Sequence, residues 1–147
     1  MADDVSQIDF SGSTLLKTGI DSTANDSDKT ITVPAGKTWE LKWLHIILAS
    51  TATVGNRQIK MEILDDDSVV RADIHAGAVQ AASLTRHYLC GQGVYRETSF
   101  VNGEMHVPIP HDLILHPGWS FRVYDSAAVD AAADDLTVSY SVIERDL

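Results

Sequence analysis

The sequence predicts an all-β chain, an antiparallel, jelly-roll-like β-sandwich of about nine or ten strands. Three observations carry this. Apolar and polar residues alternate at period two, as in Trp39, Leu41 and Trp43 on one face against Glu40 and Lys42 on the other. Strand side chains point alternately to opposite faces, whereas a helix needs apolar residues at three- and four-residue steps. The two clearest runs each follow a Pro/Gly turn, Val33-Pro34-Ala35-Gly36 and His116-Pro117-Gly118. Turn signals also recur roughly every eight to twelve residues, the spacing of packed sheets or a closed barrel.

Taken in order, residues 1–12 are polar, with Ile8 and Phe10 as their large apolar side chains. They read as a flexible N-terminal arm that orders against a neighbour, leaving 13–147 as one β-sandwich domain. A short strand runs through Leu15 and Leu16. The Ser, Thr, Asn and Asp of 21–29 bond readily to nearby backbone, so a surface loop is expected there. Strands follow at 30–33, 38–49, 57–64, with Ile59, Met61 and Ile63 inward, and 69–75. Asp65-Asp66-Asp67-Ser68 makes the turn between the last two. Residues 76–83, rich in Ala and Gly, show no period and stay unassigned. A strand at 84–90 ends at Gly91-Gln92-Gly93. Asn102-Gly103 supplies the two positive-φ residues of a type I′ hairpin turn between Phe100-Val101 and Glu104-Met105. Met105, Val107 and Ile109 then alternate, and Pro108 and Pro110, which lack ladder donors, put this strand at a sheet edge or end it there. Strands at 119–125 and 136–144 complete the set, with Phe121, Val123, Leu136, Val138, Tyr140 and Val142 inward. In 44–49 both faces are largely apolar, so one needs cover from a loop, the arm or another copy of the chain.

Composition narrows the function. Eleven Lys and Arg against 21 Asp and Glu give a formal charge of −10, which repels a phosphate backbone, so no nucleic-acid partner is expected. The acid sits at the ends: 1–30 hold six acids and two bases, 124–147 six and one, and the middle nine and eight. These ends read as solvated segments or as surfaces for a basic partner. A single cysteine, Cys90, forms no internal disulfide and reads as core. The start lacks the basic and apolar regions of a signal peptide, and the apolar run 44–49 is far short of the ~20 residues of a membrane helix. A soluble chain made in the cytoplasm, without a membrane partner, is the expectation.

Catalytic and metal signatures are weak throughout. His106, His111 and His116 recur at five-residue steps, which in an extended chain alternate faces and separate the rings. The aspartates of 65–67 and 125–135 lack the one-three-five spacing and distal Glu of a calcium loop. Gly91-Gln92-Gly93 lacks the third glycine of a dinucleotide loop, no Gly-x-Ser-x-Gly elbow occurs, and Cys90 and His87 point to opposite faces of one strand. No enzyme activity, metal or cofactor is expected. Trp39, Trp43 and Trp119, in register with Leu41, Phe121 and Val123, read as core rather than as sugar-stacking platforms.

One set of fragments carries a family resemblance. Ala52-Thr53-Val54-Gly55-Asn56-Arg57, then Gln80-Ala81-Ala82-Ser83, Leu115-His116-Pro117-Gly118 and Asp125-Ser126-Ala127-Ala128-Val129-Asp130 resemble small structural proteins of tailed bacteriophages, over roughly residues 30–143. The resemblance implies a capsid decoration or cement protein: a non-enzymatic β-sandwich, often a homotrimer, seated outside the head on the major capsid protein. It leaves tail, neck and head-fibre roles open and carries over no catalytic residue. Ile8 and Phe10 are the expected partner-binding residues. A carbohydrate-binding or adhesive sandwich is the rival reading, and it requires a tryptophan exposed in a groove.

Overall fold

The computed structural model describes residues 15–147, so the arm with Ile8 and Phe10 lies outside the described residues. Ten strands follow in chain order: β1 (Leu15–Asp21), β2 (Asp28–Thr32), β3 (Lys37–Ala49), β4 (Ile59–Leu64), β5 (Val70–His75), β6 (Thr85–Gln92), β7 (Glu104–Ile109), β8 (Ile114–Leu115), β9 (Ser120–Asp125) and β10 (Asp135–Asp146). They form two sheets. One has the order β1-β10-β3-β6-β7, with β8 paired to the start of β3, and the other has the order β2-β9-β4-β5. With β7 and β8 set aside, every chain-adjacent pair except β4–β5 changes sheet. First and last strands, β1 and β10, lie side by side, as do β2 and β9. This is the double Greek key of a jelly roll.

Period-two alternation builds the core between the sheets. Leu44, Ile46, Leu48, Tyr88, Met105, Leu136, Val138 and Val142 of the six-stranded sheet are buried there against Ile59, Met61, Ile63, Phe121 and Val123 of the four-stranded sheet. The buried Tyr88 hydroxyl donates to Gln80 Oε1 at 3.0 Å, which satisfies a polar tip that would otherwise be costly to bury.

Four expectations are corrected. Trp39 and Leu41 point inward, but Trp43 does not: it is 42% exposed. Ser141 pairs with Trp43 and Val142 with Leu41, so Lys42 has no partner and forms a bulge. One extra residue moves every later side chain to the other face, and from Leu44 onward the even positions are inward. Second, the sandwich is not wholly antiparallel, because β7 pairs parallel to β6. Asn102 (φ 52°) and Gly103 (φ 83°) do make the two-residue positive-φ turn, yet it closes only the single bridge Val101–Glu104. The segment after β6 is long enough to serve as the crossover a parallel pair requires. As expected from Pro108, β7 is an edge strand.

Third, 21–29 is not merely a surface loop, since Ser27 and Lys29 are buried. The Lys29 ammonium donates to Thr23 O at 2.7 Å and pairs with Asp26 (2.7 Å) and Asp21 (3.4 Å). Fourth, among the described residues of the acidic ends several carboxylates are engaged within the fold rather than freely solvated. Asp21 and Asp26 face Lys29, Asp125 and Asp134 are buried, and Glu144 accepts from Trp39 and Lys17.

Candidate interaction surface

The outer faces of the two sheets differ in kind. On the four-stranded sheet, β4 and β9 align Glu62 with Arg122 and Lys60 with Tyr124, and β5 places Asp73 beside Glu62. Glu62 accepts from Arg122 Nη2 (2.5 Å), the Tyr124 hydroxyl (2.7 Å) and Lys60 (3.0 Å), and Lys60 reaches Asp73 at 3.1 Å. Burial pushes the Glu62 carboxyl up, but these three donors outweigh it and hold its pKa at about 2. These charges pair with one another, although Arg122 Nε is left buried without a partner.

The outer face of the six-stranded sheet mixes exposed apolar side chains and histidines with one ion cluster, in which Glu40 meets Lys42 and Arg145. Strand register places Ile20, Ser139, His45, Leu89 and His106 in one row across five strands, and Thr18, Ser141, Trp43, Gly91 and Pro108 in the next. Leu16, Ile20 and Ile114 add exposed aliphatic surface at 64%, 65% and 44% exposure. Between Trp43 and His106 lies a groove of about 250 Å³, lined by Trp43, Leu89, Val94 and His106 over the backbone of Leu44, Cys90 and Gly91. Gly91 forms its floor, since a Cβ there would stand 3.3 Å from Val94 Cγ1. His45 Nε2 and His87 Nδ1 are 3.0 Å apart, with the rings stacked at 5.2 Å. Burial and then the His87 charge hold the His45 pKa below its usual value, so this pair shares a hydrogen bond while at least one ring is neutral.

Three of the four fragments behind the family resemblance meet at one end of the sandwich, and their role there is structural. Arg57 and Asp134, both with fully buried side chains, form a bidentate pair: Nε to Oδ2 at 2.8 Å and Nη2 to Oδ1 at 3.1 Å. The remaining guanidinium nitrogen donates to the carbonyls of Thr53 and Gly55. Burial raises the Asp134 carboxyl pKa, but Arg57 and the Thr51 amide bring it below the usual range. Asp130 accepts from the hydroxyls of Thr51 (2.6 Å) and Thr53 (2.8 Å). Asp125 caps the amides of Gln58, Ala127 and Val129. Gln80 exchanges backbone bonds with Arg57 and donates to the carbonyls of Leu48 and Leu84. The fourth fragment, 115–118, lies where β8 turns into β9.

The other candidates read from sequence are placed plainly. Trp39 is buried, with Nε1 donating to Glu144 at 2.7 Å, and Trp119 is half-buried against the core and His116. His106 pairs with Glu97, His116 meets the Trp119 ring edge to face, and His111 sits in the loop between β7 and β8, so the three do not converge. Asp65 accepts from the amides of Asp67 and Val69 and from Arg71. Among the described residues no group of three or more His, Cys, Asp or Glu is arranged to hold a metal ion. Burial pushes the Cys90 thiol up to about 12, which leaves it protonated and a poor nucleophile at neutral pH. No helix among the described residues is long and apolar enough to cross a membrane. Sequence reasoning missed the His45–His87 pair; the inward Leu44-x-Ile46-x-Leu48 pattern put His45 on the outer face, but only the β3–β6 register brings His87 beside it.

No protein-family model matches the sequence, and no curated protein matches it. Among solved structures, one described as that of the infectious bursal disease virus Gx strain is similar at 7% identity with a TM-score of 0.34. The match covers 90% of this chain and 37% of the other, so the chain spans just over a third of that neighbour's length.

Proposed function

We propose that this chain is a non-enzymatic virion structural protein, a decoration or cement protein on the outside of a phage head, where it stabilises joints between major capsid subunits. The observation that carries the reading is the asymmetry of the two outer faces. One is lined mainly by its own ion pairs, and the other, beside the Glu40–Lys42–Arg145 cluster, presents Leu16, Ile20, Trp43 and Ile114 to solvent. Exposed aliphatic and aromatic surface of this extent marks a contact with another macromolecule. The sequence resemblance supplies the identity of that partner, the major capsid protein. Ile8 and Phe10 of the arm add a second contact, on the capsid or a neighbouring protomer. Many copies per head make modest contacts strong in sum, and a homotrimer suits a threefold joint between subunits.

The test is occupancy on heads that lack the chain, measured by cosedimentation. Wild-type protein is expected to bind, and Trp43→Lys, Leu16→Lys and a chain without residues 2–12 are expected to lose occupancy. Undiminished binding by all three variants would sink the proposal. Solution mass checks the trimer separately.

One observation favours a second reading, a carbohydrate-binding or adhesive sandwich on a head fibre or tail: Trp43 is an indole exposed in a groove beside a histidine. Sugars stack on such rings. Glycan-array binding abolished by Trp43→Ala, with Trp39→Ala inert in any fraction that folds, would establish it in place of the capsid reading.

A further inference from the structure

The last strand of a sheet offers a row of main-chain donors and acceptors to any further strand, and folds protect such edges with proline, bulges, covering segments or charges. Three of the four end strands here are protected. On β7, Pro108 lacks a donor and a covering segment meets His106: its amide donates to Glu97 Oε2 at 2.7 Å, and its carbonyl accepts from the Glu97 amide at 3.2 Å. On β2, Lys29 turns a buried charge inward to Asp21 and Asp26. On β5, Arg71 and Asp73 are charged, and the ladder to β4 shifts register between Ile63 and Leu64.

Strand β1 lacks these protections. Its seven residues, Leu15 to Asp21, pair with β10 without a register shift and include no proline, and among the described residues no strand lies on their far side. Its charges are already engaged within the chain. Lys17 donates to Glu144 at 3.2 Å and stands 5.6 Å from the centre of the Trp39 ring, and Asp21 lies 3.4 Å from Lys29. The pleat puts Leu16, Thr18 and Ile20 together on the outer face, and all three are exposed.

The order of residues in β1 selects its occupant. When the β1 of a second copy runs antiparallel beside it, about a twofold axis at Thr18, all seven residues find partners: Leu15 with Asp21, Leu16 with Ile20, Lys17 with Gly19, and Thr18 with Thr18. On the outer face two aliphatic pairs then flank a Thr–Thr pair, combinations that stabilise antiparallel strands. Lys17 falls opposite a residue with no side chain, so no like charges are directly opposed. An axis one residue to either side would pair only five residues of β1 and would set Leu16 or Ile20 against Thr18. The strand is self-complementary in one register.

We propose that β1 is a dimerisation edge, through which two copies of this chain join their six-stranded sheets into one continuous sheet by antiparallel pairing centred on Thr18. A single strand pair of this length is a small contact, so the dimer is reversible and concentration-dependent. The pairing does not rest on the capsid reading. It is also separate from the homotrimer, because it links two single chains or a chain of one trimer to a chain of the next.

Crosslinking tests it in a Cys90→Ala background. Directly opposed residues of antiparallel strands have Cα atoms ~4.5–5.5 Å apart, within disulfide range, so Thr18→Cys is expected to give a covalent dimer on a non-reducing denaturing gel after mild oxidation. Val54→Cys, equally exposed to oxidant in the loop between β3 and β4, is expected to give none. No dimer from Thr18→Cys, or equal dimer from both, would overturn the proposal. A second readout needs no engineered cysteine. In sedimentation at rising concentration the unmodified chain should approach twice the mass of Ile20→Lys, whether the smaller species holds one chain or three. Ile20 is exposed, so this substitution leaves the core intact. Equal masses for the two proteins at every concentration would also overturn the pairing, while leaving the capsid reading to its own occupancy test.

Discussion

The two sheets of this jelly roll meet their surroundings on opposite terms. The four-stranded sheet carries Lys60, Glu62, Asp73, Arg122 and Tyr124 outside, arranged so that each charge finds a partner across the strands. The six-stranded sheet carries Trp43, Leu89, His45, His87 and His106 outside, around a groove that its own described side chains leave open. A cross-strand ion ladder lets a sheet face stand in water as it is. An apolar face lowers its free energy by being covered, so it points to a partner. The same contrast runs along one strand, where Trp39 is 3% exposed and Trp43 42%, four positions apart in β3.

The largest effect should come from breaking that pair of tryptophans. Trp39→Ala is expected to cost ~3–5 kcal/mol in urea unfolding, the usual range for truncating a buried aromatic. Trp43→Ala should cost under ~1 kcal/mol, as for a side chain outside the core. Equal costs would mean that the bulge at Lys42 does not reverse the strand. Asp134→Ala should cost a comparable ~3–5 kcal/mol, because it leaves the Arg57 charge buried without a counterion. The double change Arg57→Met with Asp134→Leu should recover most of that loss, since an apolar pair carries no desolvation penalty.

The charged outer face should announce itself through pH. The folded Glu62 pKa, at about 2, lies below the unfolded value of ~4.3. Its stabilisation is therefore complete above pH ~4.3 and is lost as pH falls towards 2. Glu62→Gln should lower stability by ~1–3 kcal/mol at pH 7 and flatten the acid limb of the curve, as measured by chemical denaturation across that window. The smallest effect belongs to the opposite face. With the folded His45 pKa depressed, its contribution is complete above ~6.5 and is lost as pH falls below that value. His45→Asn should remove a shallow slope below pH ~6.5 and leave the Glu62 limb intact. A slope that persists in this variant would assign it to another histidine.

Legibility in the sequence followed the range of the forces involved. Strand positions and inward residues such as Ile59, Met61, Ile63, Phe121 and Val123 could be read directly, because alternation is a local consequence of the pleat. The Asn102-Gly103 turn was legible for the same reason, since positive φ is a property of those two residues. The candidate surface was only half legible. Apolar residues on both faces of 44–49 signalled a face in need of cover, but the assignment of Trp43 to the core failed because a bulge depends on the partner strand, here on Ser141 and Val142. The Arg57–Asp134 clasp joins residues 77 positions apart, and no local pattern connects them.

The sequence by itself determined an all-β chain, its turns, its edge strand at Pro108 and a shortage of cover for one strand, all of which arise from neighbouring residues. Only the tertiary structure decided the double Greek-key order, the parallel β6–β7 pair, which face holds Trp43, and the meeting of His45 with His87. Those features depend on which distant segments share hydrogen bonds and in what register. The whole sandwich sets that choice by burying the most apolar surface while leaving the fewest buried polar groups unpaired.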